Sequence, residues 1–157
     1  MADPQTGGAR PPHRRPDRLS LVVFSGSFEK VHYALASAAA AAAIDMPATL
    51  FFTMEASHAL MAGPDAETPG WHALAVDRAG HSAAASLDAE QRARGIAGFE
   101  ELLESCAALG VRFILCEMGL RALGLERAAL RPDLAVETGG LVTFLTDASA
   151  DGAMLFV

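Results

Sequence analysis

Two thiols are the most nucleophilic side chains in this chain, and their surroundings differ. Cys106 falls in the series Ile96, Phe99, Leu102, Leu103, Cys106 and Leu109, the spacing of one apolar helix face, so it reads as a core thiol. Cys116 closes the largely apolar run 111–115 and is followed at once by Glu117-Met118-Gly119. That places it at the C-terminal lip of a buried strand, where open parallel sheets gather their chemistry. A thiolate there is a nucleophile towards sulfane sulfur. The two cysteines should not bridge. A strand of that length climbs roughly 16 Å while the end of the preceding helix recovers about 5 Å, leaving a gap beyond disulfide reach.

Three loops are expected at the carboxyl ends of strands, each opening towards a helix: Ser25-Gly26-Ser27, Cys116-Glu117-Met118-Gly119 and Thr138-Gly139-Gly140. Amides at helix starts favour anions, so these loops would orient and stabilise a thiolate or a persulfide on Cys116. Glu117 opposes this unless its carboxylate points away or Arg121 offsets it. Cys116 and Arg121 form C-x-x-x-x-R, a spacing reminiscent of a rhodanese loop, with Arg121 as a plain solvated charge the alternative. Ser25-Gly26-Ser27 resembles a phosphate turn but lacks the P-loop lysine and the dinucleotide glycine pattern. His32, His58, His72 and His81 show no metal-ligand spacing, and His32 reads as a surface residue. Neither a metal nor a cofactor is expected.

Strands are expected at 19–24, 48–53, 111–115, 134–137 and 153–157, the first a β-branched run suited to burial on both faces. Helices are expected at 28–44, which contains six consecutive alanines, at 55–61, from Ile96 to a stop at Gly110, near 120–123 and 125–129, and at 141–148. Residues 63–86 resist assignment and read as a long functional loop holding Trp71, the single tryptophan. Strands alternating with helices predict an α/β domain over residues 19–157, behind a disordered tail over 1–18.

A chain of 157 residues suffices for one domain with a substantial core. A net charge of −7 argues against a nucleic-acid partner. No secretory core segment is seen in the first 18 residues, the run 38–44 is far shorter than the ~20 residues of a membrane span, and two cysteines make no disulfide framework. A soluble protein of the reducing cytoplasm is the expectation.

The runs FILCEMGLRALGL, VETGGLVTFL and ADGAMLFV, with LVVFSGSFEKVHYALASAAAAAA and ATLFFTMEA before them, resemble the DsrE/DsrF-like family, in particular its peroxiredoxin-family-like subgroup. The resemblance covers residues 19–157. It implies a three-layer α/β/α domain with a five-stranded parallel, flavodoxin-like sheet, and a homo-oligomer, commonly a trimer or hexamer. It also implies that Cys116 carries sulfur as a persulfide and exchanges it with TusA-like or rhodanese-like sulfur carrier proteins. After the cysteine this chain reads Met118-Gly119-Leu120-Arg121, where close relatives commonly read Met-Ser-Met-Asp. No Thr-x-x-Cys peroxidatic pattern is present, so a peroxidase is not expected. The competing expectation is a non-catalytic small-ligand-binding or assembly protein of the same fold, with anion or nucleotide binding a third.

Overall fold

The computed structural model describes residues 14–157 except Ala66. Most of the expected tail therefore lies outside the described residues. Arg18, counted with that tail, is part of the domain, because its guanidinium donates to Asp147 at 2.9 Å.

Five short strands form one parallel sheet: β1 (Leu19–Val23), β2 (Ala48–Phe52), β3 (Arg112–Cys116), β4 (Val136–Gly139) and β5 (Ala153–Phe156), in the order β4-β3-β2-β1-β5. The order differs from the 2-1-3-4-5 of flavodoxin but, like it, reverses once. Here the reversal lies between β1 and β5. Every residue of β1 and β2 is buried, which is why both read as near-continuous apolar runs, broken only by Ser20 and Thr49, rather than alternating ones.

One face carries the main core. Helix α1 (Phe28–Ala43) lays Phe28, Val31, Leu35 and Ala38 against it, and its alanines let the backbone approach the strands closely. Helix α3 (Phe99–Ala108) lies beside α1 and adds Phe99, Leu102, Leu103 and Cys106. The helix α3 begins later than Ile96. Gly95 turns the chain at φ +78°, the Gly98 N–H is met by Glu101, and the Phe99 N–H by the buried Asp88 carboxylate at 2.7 Å. Ile96 and Leu109 consequently lie outside the helix and are exposed.

Residues 63–86 hold local structure that their sequence does not announce. A 3₁₀ turn over Gly70–Ala73 buries Trp71 against Phe99, ring centroids 4.8 Å apart, and the Trp71 indole donates to Glu100. Helix α2 (Ala84–Ala93) follows. It carries no clear periodic signal in the sequence, because only Ala84, Leu87 and Asp88 of its ten residues are buried. His32 is a correction as well. It is buried on α1, its Nε2 2.8 Å from the Ala97 carbonyl, and it faces the core rather than the solvent.

The other face is thinner. Helix α5 (Leu141–Asp147) covers part of it with one buried residue, Phe144, which meets Val22, Phe51, Ile114 and Cys116. The C-terminal end of α5 is tied to the lower edge of the sheet: Asp147 accepts from Thr49, Arg18 and Arg112, and Arg112 also grips Glu137 through two bonds of 2.8 and 2.6 Å. Among the described residues no helix is long and apolar enough to cross a membrane.

Candidate functional site

At the upper edge of the sheet the strand ends align. Val23 pairs with Phe52, Phe52 with Leu115, Leu115 with Thr138, and Cys116 with Gly139. Cys116 is the last residue of β3 and the residue from which helix α4 (Glu117–Leu123) starts, so no loop separates the thiol from the helix. Glu117, Met118 and Gly119 form its first turn rather than a connecting loop, and Thr138-Gly139 belong to β4.

Two glycines shape the surroundings of Cys116. A Cβ on Gly119 would stand 2.7 Å from the Met54 nitrogen and 2.9 Å from the Thr53 hydroxyl, so only glycine lets α4 lie against the exit of β2. That exit is strained, since Met54, two residues past the end of β2, holds φ +48°. On the other side, a Cβ on Gly139 would meet Thr143 at 3.0 to 3.2 Å, and this close passage brings α5 down over β3.

The result is a thiol under a roof. Cys116 is 1 % exposed and lies in an apolar cluster with Phe51, Ile114 and Phe144. A sulfur standing open at the strand tip is therefore not what the fold presents. Glu117 and Met118 are exposed. Arg121 is exposed as well and forms no ion pair with Glu117. Thr138 shares its face with Leu115, opposite to the one Cys116 occupies, whereas Gly139 and Gly140 flank the thiol's strand tip and start α5.

Ser25-Gly26-Ser27 lies two strands away, and the amides of its two serines are already engaged. The N–H groups of Phe24 and Ser25 go to the Val157 carbonyl, that of Ser27 to the Ser25 hydroxyl and that of Phe28 to the Ala75 carbonyl. Ser27 is buried and its hydroxyl donates to Glu29. Glu29 in turn accepts the Asp77 and Arg78 amides. Burial would raise this carboxyl, but those hydrogen bonds outweigh it and hold Glu29 below the ordinary carboxylate range.

The open cleft at this edge is elsewhere. About 860 Å³ of space lies where the strand order reverses, between the exits of β1 and β2 and the end of β5, bounded by Phe24, Ser25, Gly26, Lys30, Met54, Glu55, Phe156 and Val157. Parallel sheets bind ligands at such reversals. Of these residues only Ser25 and Gly26 stand out in the sequence, because where a sheet reverses depends on strand order, which local pattern does not encode.

Cys106 behaves as the sequence suggests. It is fully buried in the main core, donates to the Leu35 carbonyl at 3.3 Å, and burial pushes its thiol up to about 12. Both cysteines are free, and the sheet stands between them, since Cys106 belongs to the core on one face and Cys116 to the cluster on the other. Among the described residues no cluster of three His, Cys, Asp or Glu is placed to hold a metal.

No family sequence model and no curated protein sequence matches this chain. Solved structures do match. The crystal structure of the ychN protein from E. coli aligns with 90 % of this chain and 99 % of its own, at TM-score 0.52 and 17 % identity. The chain has the YchN fold. YchN is a DsrE/DsrF-like protein, so the architecture implied by the family resemblance is the architecture found. At this identity the likeness to YchN concerns the path of the chain, and the chemistry rests on the residues described above.

Proposed function

We propose that the protein is a sulfur-relay protein in which Cys116 is a gated carrier thiol. The observation that carries this reading is the placement of Cys116 at the tip of β3 beneath a helix only seven residues long, which buries a single side chain, Phe144, and is otherwise tied to the sheet at its far end through Asp147. The Cys116 thiolate attacks the terminal sulfur of a persulfide donor. A new S–S bond forms on Cys116, the donor's S–S bond breaks, and the donor leaves as a thiolate. The acceptor thiolate then attacks that terminal sulfur and frees Cys116. Between the two steps α5 keeps the persulfide from water and stray thiols. TusA-like or rhodanese-like proteins are the exchange partners this reading calls for, within a homo-oligomer such as a trimer or hexamer. Incubation with a persulfide donor followed by intact mass should show one added sulfur that disappears in Cys116→Ser. If no sulfur is gained, or if it is gained equally by the Ser variant, the carrier role is wrong.

The burial of Cys116 favours a second reading, a non-catalytic ligand-binding or assembly protein that uses the cleft between β1 and β5. Thiol labelling under native conditions separates the two. A Cys116 that reacts only as fast as the whole chain unfolds supports the second.

A further inference from the structure

We infer that the cleft at the reversal of the sheet binds a flat, uncharged heteroaromatic ring bearing a carbonyl, of the kind a 6-oxopurine nucleoside presents. The inference goes beyond the sulfur reading and rests on the cleft that the second reading uses, to which it gives a ligand class.

The walls suit a ring. Phe24 and Phe156, 44 and 71 % exposed, meet with ring centroids 5.5 Å apart and planes inclined by 32°, so the pair offers the cleft a broad aromatic surface that is open to solvent. Met54 bounds the cleft from the β2 side and adds a polarisable thioether. Its backbone is the strained one described above, and residues held in such sparsely populated conformations gather at binding sites. The volume, about 860 Å³, falls within the ~300–1,000 Å³ of small-molecule sites.

The polar groups at the cleft set the edge of the ring. Gly26 passes so close to Glu55 that an added Cβ would stand 2.5 Å from the Glu55 Cβ, so bare backbone forms that wall. The turn is pinned, because the Ser25 N–H donates to the Val157 carbonyl at 3.1 Å and the Ala75 N–H to the Gly26 carbonyl at 2.8 Å. Among the described residues nothing accepts the Gly26 N–H, and the Ser25 hydroxyl, which takes the Ser27 N–H, has no acceptor for its own proton. Two pinned donors in a largely apolar recess call for a ligand edge made of acceptors. The carbonyl oxygen and adjacent ring nitrogen of a 6-oxopurine are such an edge, whereas adenine puts an amine in place of the oxygen.

Charge argues against a phosphate ligand. Lys30 and Glu55 are the charged side chains that bound the cleft, and their charges cancel. The Lys30 ammonium already faces Asp77 at 3.9 Å, and the Glu55 carboxylate lies 3.5 Å from His58 Nε2. A polyphosphate asks for several cations or a nest of amides, and here there is one of each on a chain of net charge −7.

The test titrates the full chain with inosine by calorimetry and locates the site by hydrogen–deuterium exchange. Inosine should bind and slow exchange in peptides spanning residues 24–30 and 153–157. Adenosine should bind more weakly than inosine, and inosine monophosphate and triphosphate progressively more weakly still. Phe156→Ala should weaken inosine about 5- to 150-fold, and Phe24→Ala, outside any strand, should do the same should the strand variant misfold. Lys30→Gln should stay within about twofold of wild type. No inosine binding, or protection elsewhere in the chain, overturns the inference. So do adenosine or the triphosphate binding as tightly as inosine, and a loss in Lys30→Gln as large as in Phe156→Ala. Triphosphate protecting the same peptides would leave the cleft a binding site and refute only the uncharged ring. A protein that takes up sulfur on Cys116 but binds no inosine refutes only this inference, and one that binds inosine but takes up no sulfur refutes only the carrier role.

Discussion

Replacing Phe144 with alanine removes the one buried side chain by which α5 closes over Cys116. Phe144 is 1 % exposed, its ring lies 5.0 Å from that of Phe51, and no other residue of α5 is buried. Burying a phenylalanine is worth about 1.5–3 kcal/mol and an aromatic pair roughly 0.5–1.5 kcal/mol more. Lifting α5 in the variant should therefore cost about 2–4 kcal/mol less, which raises the open population some 30- to 1000-fold at ~1.4 kcal/mol per decade. Cys106 supplies an internal control, since it sits in the main core on the opposite face and is reached only by global unfolding. Labelling with a thiol reagent, quenching at intervals and locating the adduct by peptide mass gives both rates in one sample. Cys116 should outpace Cys106 in the wild type, and Phe144→Ala should quicken both by the stated factor, because the contact is lost in the open and in the unfolded state alike, so that the gap between them persists. If the two cysteines react at one common rate in both proteins, α5 does not open locally and the gate does not exist.

The lower anchor of α5 should make the gate sensitive to acid. Burial alone would raise the Asp147 carboxyl, but the Thr49 hydrogen bond and the Arg18 and Arg112 charges outweigh it and hold Asp147 below the usual carboxylate range. A depressed native pKa contributes stability that is complete above the unfolded value near ~4 and lost as pH falls through the native value. Urea midpoints measured between neutral pH and pH 3 should thus fall less steeply for Asp147→Asn, which should also be about 1–3 kcal/mol less stable at neutral pH. Gly119→Ala should lower stability by roughly 1–3 kcal/mol in thermal melts, because the new methyl meets backbone at Met54 that cannot step aside. Cys106→Ala should leave sulfur uptake on Cys116 unchanged in intact mass, at a cost in melting temperature alone.

Much of the architecture is written in hydrophobic pattern. The runs at β1 and β2 are buried on both sides and could hardly be anything but inner parallel strands, and the alanine block of α1 has no better use than close packing on a sheet. Boundaries are less legible where small residues serve two elements. Gly139 reads as a turn, yet it completes β4 because the close pass of Thr143 demands a residue without a side chain. Helix α2 is hidden because its contact with the core is three residues wide. At the site, position along β3 is readable and exposure is not. Whether Cys116 sees solvent is decided by Phe144, which lies well downstream in the chain, and no local motif announces that contact.

A five-stranded wall insulates the two sulfurs from each other. Cys116 consequently has no resolving thiol within its own chain. Once oxidised or loaded with sulfur, it cannot discharge into an internal bridge, and relief must come from a thiol that arrives from outside. Left unattended in the presence of peroxide, such a residue would climb towards the irreversible oxyacids, so the residue that roofs it also sets how long it stays usable.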